Sequence, residues 1–161
     1  ASNQSSEFVQ QLRIVHQTGL ADKVKVAEAW QRAGIVADVQ PFLSDVPASL
    51  RAADVVISRA GAVTLAEIAA AERASILVPL PSAKDNHQAA NAEYFEQAGA
   101  AVVIDQNGSG AKRQLADAVQ KLFFERGVRS DMETSSHNLY QPHAAGEIAR
   151  RLILMAGAKK L

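Results

Sequence analysis

The sequence predicts an α/β domain of the Rossmann-like, doubly wound kind, and two observations carry that expectation. Short runs rich in Val, Ile and Leu recur along the chain, each followed by a longer segment with helical spacing, the signature of βαβ units on a parallel sheet. The near-continuous apolar character of these runs suits strands buried on both faces. At 161 residues the chain is long enough for one substantial core and short for two ordinary domains, so 1–161 is expected to form a single domain.

The first apolar run is Leu12–His16, preceded by a polar leader, Ala1–Gln11, that fits poorly as a buried strand. Helical spacing covers Ala21–Ala33, followed by the run Val39–Leu43 and a helix over Val46–Ala53. Val55–Ser58 leads into a helix at Thr64–Ala71, and Ile76–Leu80 into one at His87–Ala98. Ala101–Asp105 passes through a loop, Gln106–Gly110, to one or two helices between Ala111 and Arg126. Gly127–His143 carries Ser, Asn and Pro with weak periodicity and is expected to be soft, and a last helix spans Ala144–Met155.

Composition removes several classes of function. Hydrophobic residues at 48% and charged residues at 21% describe a chain that folds. Lys+Arg and Asp+Glu balance at 17 each, so no overall basic field favours nucleic acid. The absence of cysteine excludes a disulfide scaffold and a thiolate metal site, and fits a reducing, cytoplasmic compartment. No apolar run approaches the ~18–20 residues of a membrane span, and no signal pattern opens the chain. Ile148–Leu161 mixes Leu152, Ile153, Leu154 and Met155 with Arg150, Arg151, Lys159 and Lys160. A terminal helix packed on the domain is its ordinary reading, and contact with a membrane surface the alternative. No complete Gly-x-Gly-x-x-Gly fingerprint, Walker loop, His-Glu-x-x-His pair or Gly-x-Ser-x-Gly elbow occurs.

In doubly wound sheets ligands bind beyond the carboxyl ends of the strands, which directs attention to the residues just after each one. Ser58-Arg59-Ala60-Gly61-Ala62-Val63-Thr64-Leu65-Ala66-Glu67-Ile68 is a strand end turning through small residues into a helix. Gly61 allows a tight turn or a close approach by a ligand, and free N–H groups at the helix start favour an anion such as a diphosphate. Thr64-x-x-Glu67 reads locally as a capping box, while a carboxylate in this position also suits a ribose diol. In Pro79-Leu80-Pro81-Ser82-Ala83-Lys84-Asp85-Asn86-His87-Gln88-Ala89-Ala90-Asn91, Asp85 or Asn86 can cap the next helix. Gln88 is a possible cap partner for Asp85, and His87 and Asn91 fall on the first turns. In Pro41-Phe42-Leu43-Ser44-Asp45-Val46, Phe42 is either core or a stacking platform for a base. Leu43 offers backbone groups to a base edge, and Ser44 and Asp45 are both cap candidates, a cap being the favoured reading of Ser44 by itself. His16-Gln17-Thr18-Gly19 is open to either a structural or a binding reading.

Taken together, these segments, with Val78-Pro79-Leu80 and Ala98-Gly99-Ala100-Ala101, resemble the MurG family of glycosyltransferase family 28. The resemblance runs from about Leu12 to the last helix and is most specific between Phe42 and Ala101. It implies the C-terminal half of a GT-B fold, in which two Rossmann-like domains face each other and the C-terminal one holds UDP-GlcNAc. It further implies an inverting N-acetylglucosaminyltransferase of peptidoglycan synthesis, converting lipid I to lipid II at the cytoplasmic face of the membrane, with no obligatory metal or other cofactor. Carried over by position, uracil contacts fall on the backbone of Leu43 with Phe42 at the edge. Phosphate and sugar contacts fall on Ala62, Val63 and Thr64 after Gly61, the ribose carboxylate is Glu67, sugar-hydroxyl contacts are His87 and Gln88, and Asn91 is supporting.

Two departures bear on that reading. The family carries a Gly-Gly-Ser-x-Gly-type loop before the His-Gln-x-Gly strand, and Ala1–Gln11 holds none. Nor does any segment correspond to the family's N-terminal, acceptor-binding domain, where the catalytic base and any membrane contact are expected. A partial site, with no catalytic residue of its own and no transferase activity in this chain alone, is the expectation. The rival readings are a non-catalytic donor-binding subunit that works with a partner chain and a UDP-GlcNAc 2-epimerase-like enzyme.

Overall fold

The computed structural model describes residues 8–81 and 86–157, in which, after a helical turn at 8–11, five short strands, all paired in parallel, are separated by four helices and followed by three more. The chain forms two compact units, Ala1–Ser49 and Leu50–Leu161.

In the first unit, β1 (Ile14–Gln17) pairs with β2 (Ala37–Gln40) from Ile14↔Ala37 to Gln17↔Gln40, and α1 (Lys23–Arg32) connects them. Trp30 Nε1 on α1 donates to His16 Nδ1 on β1 at 3.1 Å, with the two rings edge-on. Residues 8–11 of the polar leader are helical. Strand β2 ends short of the predicted Leu43 because Pro41 has no N–H to give the ladder. The helix α2 (Val46–Ala52) follows, and its Leu50 packs in the core of the second unit.

The second unit orders its strands β3 (Val55–Ser58), β4 (Ala74–Leu77) and β5 (Ala101–Val103), in the register Val55↔Ala74 and Ser75↔Ala101. Helices α3 (Ala62–Ala71) and α4 (His87–Gln97) are the crossovers, followed by α5 (Ala111–Phe124), α6 (Arg126–Asn138) and α7 (Ala144–Gly157). Strand β4 is central, and all four of its residues are buried. Leu77 packs with Ala60, Leu65, Ile68, Ala92 and Phe95 on one face, while Ala74 and Ile76 pack with Ile104, Ala118, Leu122 and Met132 on the other. Burial of a side chain such as Ile76 or Leu77 contributes about 1.5–3 kcal/mol, and helices on both faces explain why the β4 run is apolar without alternation. β4 starts and ends earlier than Ile76–Leu80, and Pro79 cannot give the ladder an N–H beyond Val78.

The segment Gly127–His143, expected to be soft, is largely the ordered helix α6. Its inward stripe is Val128, Met132, Ser136 and Leu139, and the helical period is masked because serine stands at a core position. Gly99, at φ +76°, packs beside Ser135, whose Oγ lies 3.4 Å from where a Cβ would stand. Helix α7, expected to pack on the domain, has no buried residue. Ile148, Leu152, Ile153, Leu154 and Met155 are exposed, and a hydrogen bond from Arg150 holds the Glu147 carboxyl below its usual range. The apolar arc of α7 meets no core among the described residues, which no local pattern in the sequence could reveal.

Candidate functional site

The carboxyl ends of β3, β4 and β5 place most of the sequence-predicted residues in the second unit. Strand β3 ends at Ser58, and Arg59 and the fully buried Ala60 lead to Gly61, the N-cap of α3 at φ −71° and ψ 140°. These angles are open to any residue, so the glycine supplies space rather than conformational freedom. A Cβ there would meet only Thr64 Oγ1, at 3.9 Å.

Helix α3 therefore starts two residues before the predicted Thr64, and the capping box does not form. Thr64 is the third helical residue and Glu67 the sixth, too far along to reach the N-cap. Leu65 N–H closes the first turn on the Gly61 carbonyl at 2.9 Å. The N–H groups of Ala62, Val63 and Thr64 precede it, have no carbonyl one turn back, and receive no side-chain cap. Ala62 and Val63 are exposed, Thr64 and Glu67 half-buried. Among the described residues the Glu67 carboxylate has no hydrogen bond or ion pair.

The second segment is tied to the first. Asn91 Nδ2 on α4 donates to the Ala60 carbonyl at 3.0 Å, just before the Gly61 turn. Gln88 Oε1 accepts from Leu80 N–H at 3.0 Å and so holds the loop after β4. Asp85 itself, with Ser82, Ala83 and Lys84, lies outside the described residues. Asn86, the N-cap of α4, adopts a left-handed conformation at φ 54° and makes no side-chain cap. His87 is exposed at the first helical position and Gln88 half-buried at the second.

In the first unit, Phe42 is 66% exposed rather than part of a core. The cap of α2 is Asp45, whose Oδ1 accepts from Ala48 N–H at 2.8 Å, and not Ser44. Asp45 lies three residues before the N–H it reaches, the spacing a cap carboxylate needs. Leu43 N–H donates to Gln17 Oε1 at 2.9 Å, and Thr18 N–H and Gly19 N–H donate to the carbonyls of Gln40 and Pro41. The segment after β1 thus braces the segment after β2.

Three residues escaped the reading of the sequence. Gln17 reaches Leu43, and Arg59 Nη1 donates to the Val78 and Pro79 carbonyls at 2.9 and 3.4 Å and to Gln106 Oε1 at 2.6 Å. These partners are 19 to 47 residues apart in the chain, so no local pattern announces them. Among the described residues no group of three or more His, Cys, Asp or Glu side chains is placed to hold a metal ion. Nor is any described helix long and apolar enough to cross a membrane.

Comparison with known proteins bears on this arrangement. Over 144 residues the chain is 41% identical to a Syntrophus aciditrophicus protein, covering 89% of this chain and 40% of the relative. Over 151 residues it is 42% identical to one from Sorangium cellulosum, covering 92% and 37%. Both are named UDP-N-acetylglucosamine--N-acetylmuramyl-(pentapeptide) pyrophosphoryl-undecaprenol N-acetylglucosamine transferase. The crystal structure of Acinetobacter baumannii MurG superposes with a TM-score of 0.75 at 30% identity, covering 85% of this chain and 40% of that one. The chain therefore spans about two fifths of the length of the proteins it matches. Residues 1–150 match the family described as glycosyltransferase family 28 C-terminal domain, and with an uncapped helix start at the strand ends and parallel α/β architecture, this chain belongs to that family.

Proposed function

We propose that this chain is the UDP-GlcNAc-binding part of an inverting glycosyltransferase that moves N-acetylglucosamine to a lipid-linked acceptor, forming lipid II from lipid I. The observation that carries the reading is the start of α3, where three N–H groups have no side-chain cap while the Glu67 carboxylate on the next turn has no partner among the described residues. Ala62, Val63 and Thr64 receive the diphosphate, and Gly61 leaves room for it. Glu67 accepts from the ribose hydroxyls, and Thr64 lies three residues before it on the same helix face. His87 and the amide nitrogen of Gln88 meet the sugar hydroxyls, with Gln88's oxygen occupied by Leu80 N–H. Asn91 supports the Gly61 turn through the Ala60 carbonyl.

For the base, the Leu43 carbonyl accepts from the uracil ring N–H, the Leu43 N–H becomes available when Gln17 lets go of it, and exposed Phe42 borders the base. In the reaction, the acceptor hydroxyl attacks the anomeric carbon from the face opposite the diphosphate. The bond to the diphosphate oxygen breaks with inversion, and UDP departs carrying the electron pair. Preorganised N–H donors at the helix start stabilise the charge that grows on that oxygen. None of the residues assigned here is a general base, so acceptor binding and proton removal belong to residues beyond this set. On this reading the complete enzyme works at the cytoplasmic face of the membrane.

Titration of the chain with UDP-GlcNAc by calorimetry or NMR, against UDP-glucose and NAD, tests the reading. Saturable binding that prefers UDP-GlcNAc is expected, with a Kd on the order of 0.1–1 mM. A folded chain that binds none of the three at several millimolar would overturn it.

A further inference from the structure

Arg59 forms no ion pair among the described residues. Its Nη1 is directed at three neutral oxygens instead, the carbonyls of Val78 and Pro79 and the side-chain oxygen of Gln106. The two carbonyls lie just past β4, where the ladder has stopped and no strand N–H answers them. Gln106 is on the loop after β5, and that loop is locally built. Asp105 accepts from Asn107 N–H through its side chain at 2.9 Å and from Gly108 N–H through its carbonyl at 3.0 Å. One guanidinium thus spans the ends of β3, β4 and β5.

The pieces it joins carry the residues assigned to the nucleotide sugar. Arg59 lies two residues before Gly61, and the Val78–Pro79 carbonyls lie just before Leu80, whose N–H holds Gln88. Arg59 thereby ties the segment after β4 to the segment that leads into α3. Gln106 is the one contact of Arg59 that comes from outside these two segments. Its charge-assisted bond at 2.6 Å selects a single placement for an otherwise exposed side chain.

We propose that Gln106 is a positioning residue of the donor site, acting through Arg59 to set the spacing between the α3 start and the Val78–Leu80 segment that Gln88 holds. The proposal rests on the donor-binding reading above. Gln106→Met keeps the size of the side chain and removes the acceptor. The expected result is an affinity for UDP-GlcNAc weakened about three- to tenfold, a smaller loss for UDP, and an unchanged melting temperature, since both partners are exposed. In the ligand-free chain the Leu80 backbone amide resonance should move. On an Arg59→Ala background the same substitution should add nothing, because a residue that acts only through another has no effect without it.

Gln106→Met binding as tightly as the wild type, or losing the same factor without Arg59, overturns the proposal and leaves the donor reading standing. A wild-type chain that does not bind UDP-GlcNAc overturns both.

Discussion

Helices α2 and α3 both follow a parallel strand, yet they treat their first N–H groups in opposite ways. At α2 the chain supplies its own anion, and Asp45 Oδ1 takes the Ala48 N–H at 2.8 Å. At α3 the N-cap is Gly61, no side chain caps the helix, and a Cβ would find only Thr64 Oγ1 nearby. A side-chain cap is worth about 0.5–2 kcal/mol over alanine but only about a few tenths of a kcal/mol over glycine, so α3 keeps its start open at little cost in stability. A helix start closed by its own carboxylate is shut to an external anion, whereas one begun with glycine keeps both its donors and its dipole for a ligand. On this comparison α2 is structural, and α3 is what we propose as the phosphate end of the site.

The largest expected effect comes from making α3 resemble α2. Gly61→Asp should fit, given the ordinary backbone angles there, and should place a carboxylate where the diphosphate is proposed to lie. We expect UDP-GlcNAc affinity by calorimetry to fall at least about thirtyfold through like-charge repulsion, with a melting temperature held or raised by the new cap. Undiminished binding would show that the α3 start does not face the diphosphate. Next in size, Glu67→Ala should weaken UDP-GlcNAc about tenfold and leave thermal stability unchanged, because Glu67 caps nothing. Lost stability with unchanged affinity would return Glu67 to a structural role.

The converse substitution, Asp45→Ala, should cost about 1 kcal/mol in a denaturant titration that follows α2. An unaffected midpoint would remove the contrast on which the comparison rests. The smallest effect concerns a polar group with neither ligand nor partner. Ser136 Oγ is fully buried on α6 without a hydrogen bond, and Ser136→Ala should be neutral or stabilising by up to about 1 kcal/mol. A clear destabilisation, read from the melting curve, would mean that the hydroxyl has a partner after all.

The apolar runs that predicted strands were legible because a parallel strand covered on both faces has to be apolar throughout. Val55–Ser58 was predicted to the residue, and the other strands within a few positions. Errors gathered where proline or serine blurred the pattern. Prolines 41 and 79 stand in apolar runs where the ladder does not continue, and Ser136 hid the inward face of α6. The capping box failed at α3, and at α2 only one of the two candidates, Asp45, caps, because capping depends on where a helix begins to within one residue, and periodicity does not resolve that.

The sequence by itself determined the class of fold and the family, since both rest on local patterns: which residues can be buried, where a glycine opens a turn, and which short segments recur in order. Only the tertiary structure decided that Glu67 stands unpartnered, that Gln88 and Asn91 are already committed to Leu80 and Ala60, and that Arg59 gathers three strand ends with help from Gln106. Those are contacts between residues far apart in the chain. Which donor meets which acceptor there is set by how strands and helices pack, because a hydrogen bond requires a distance that chain order does not specify.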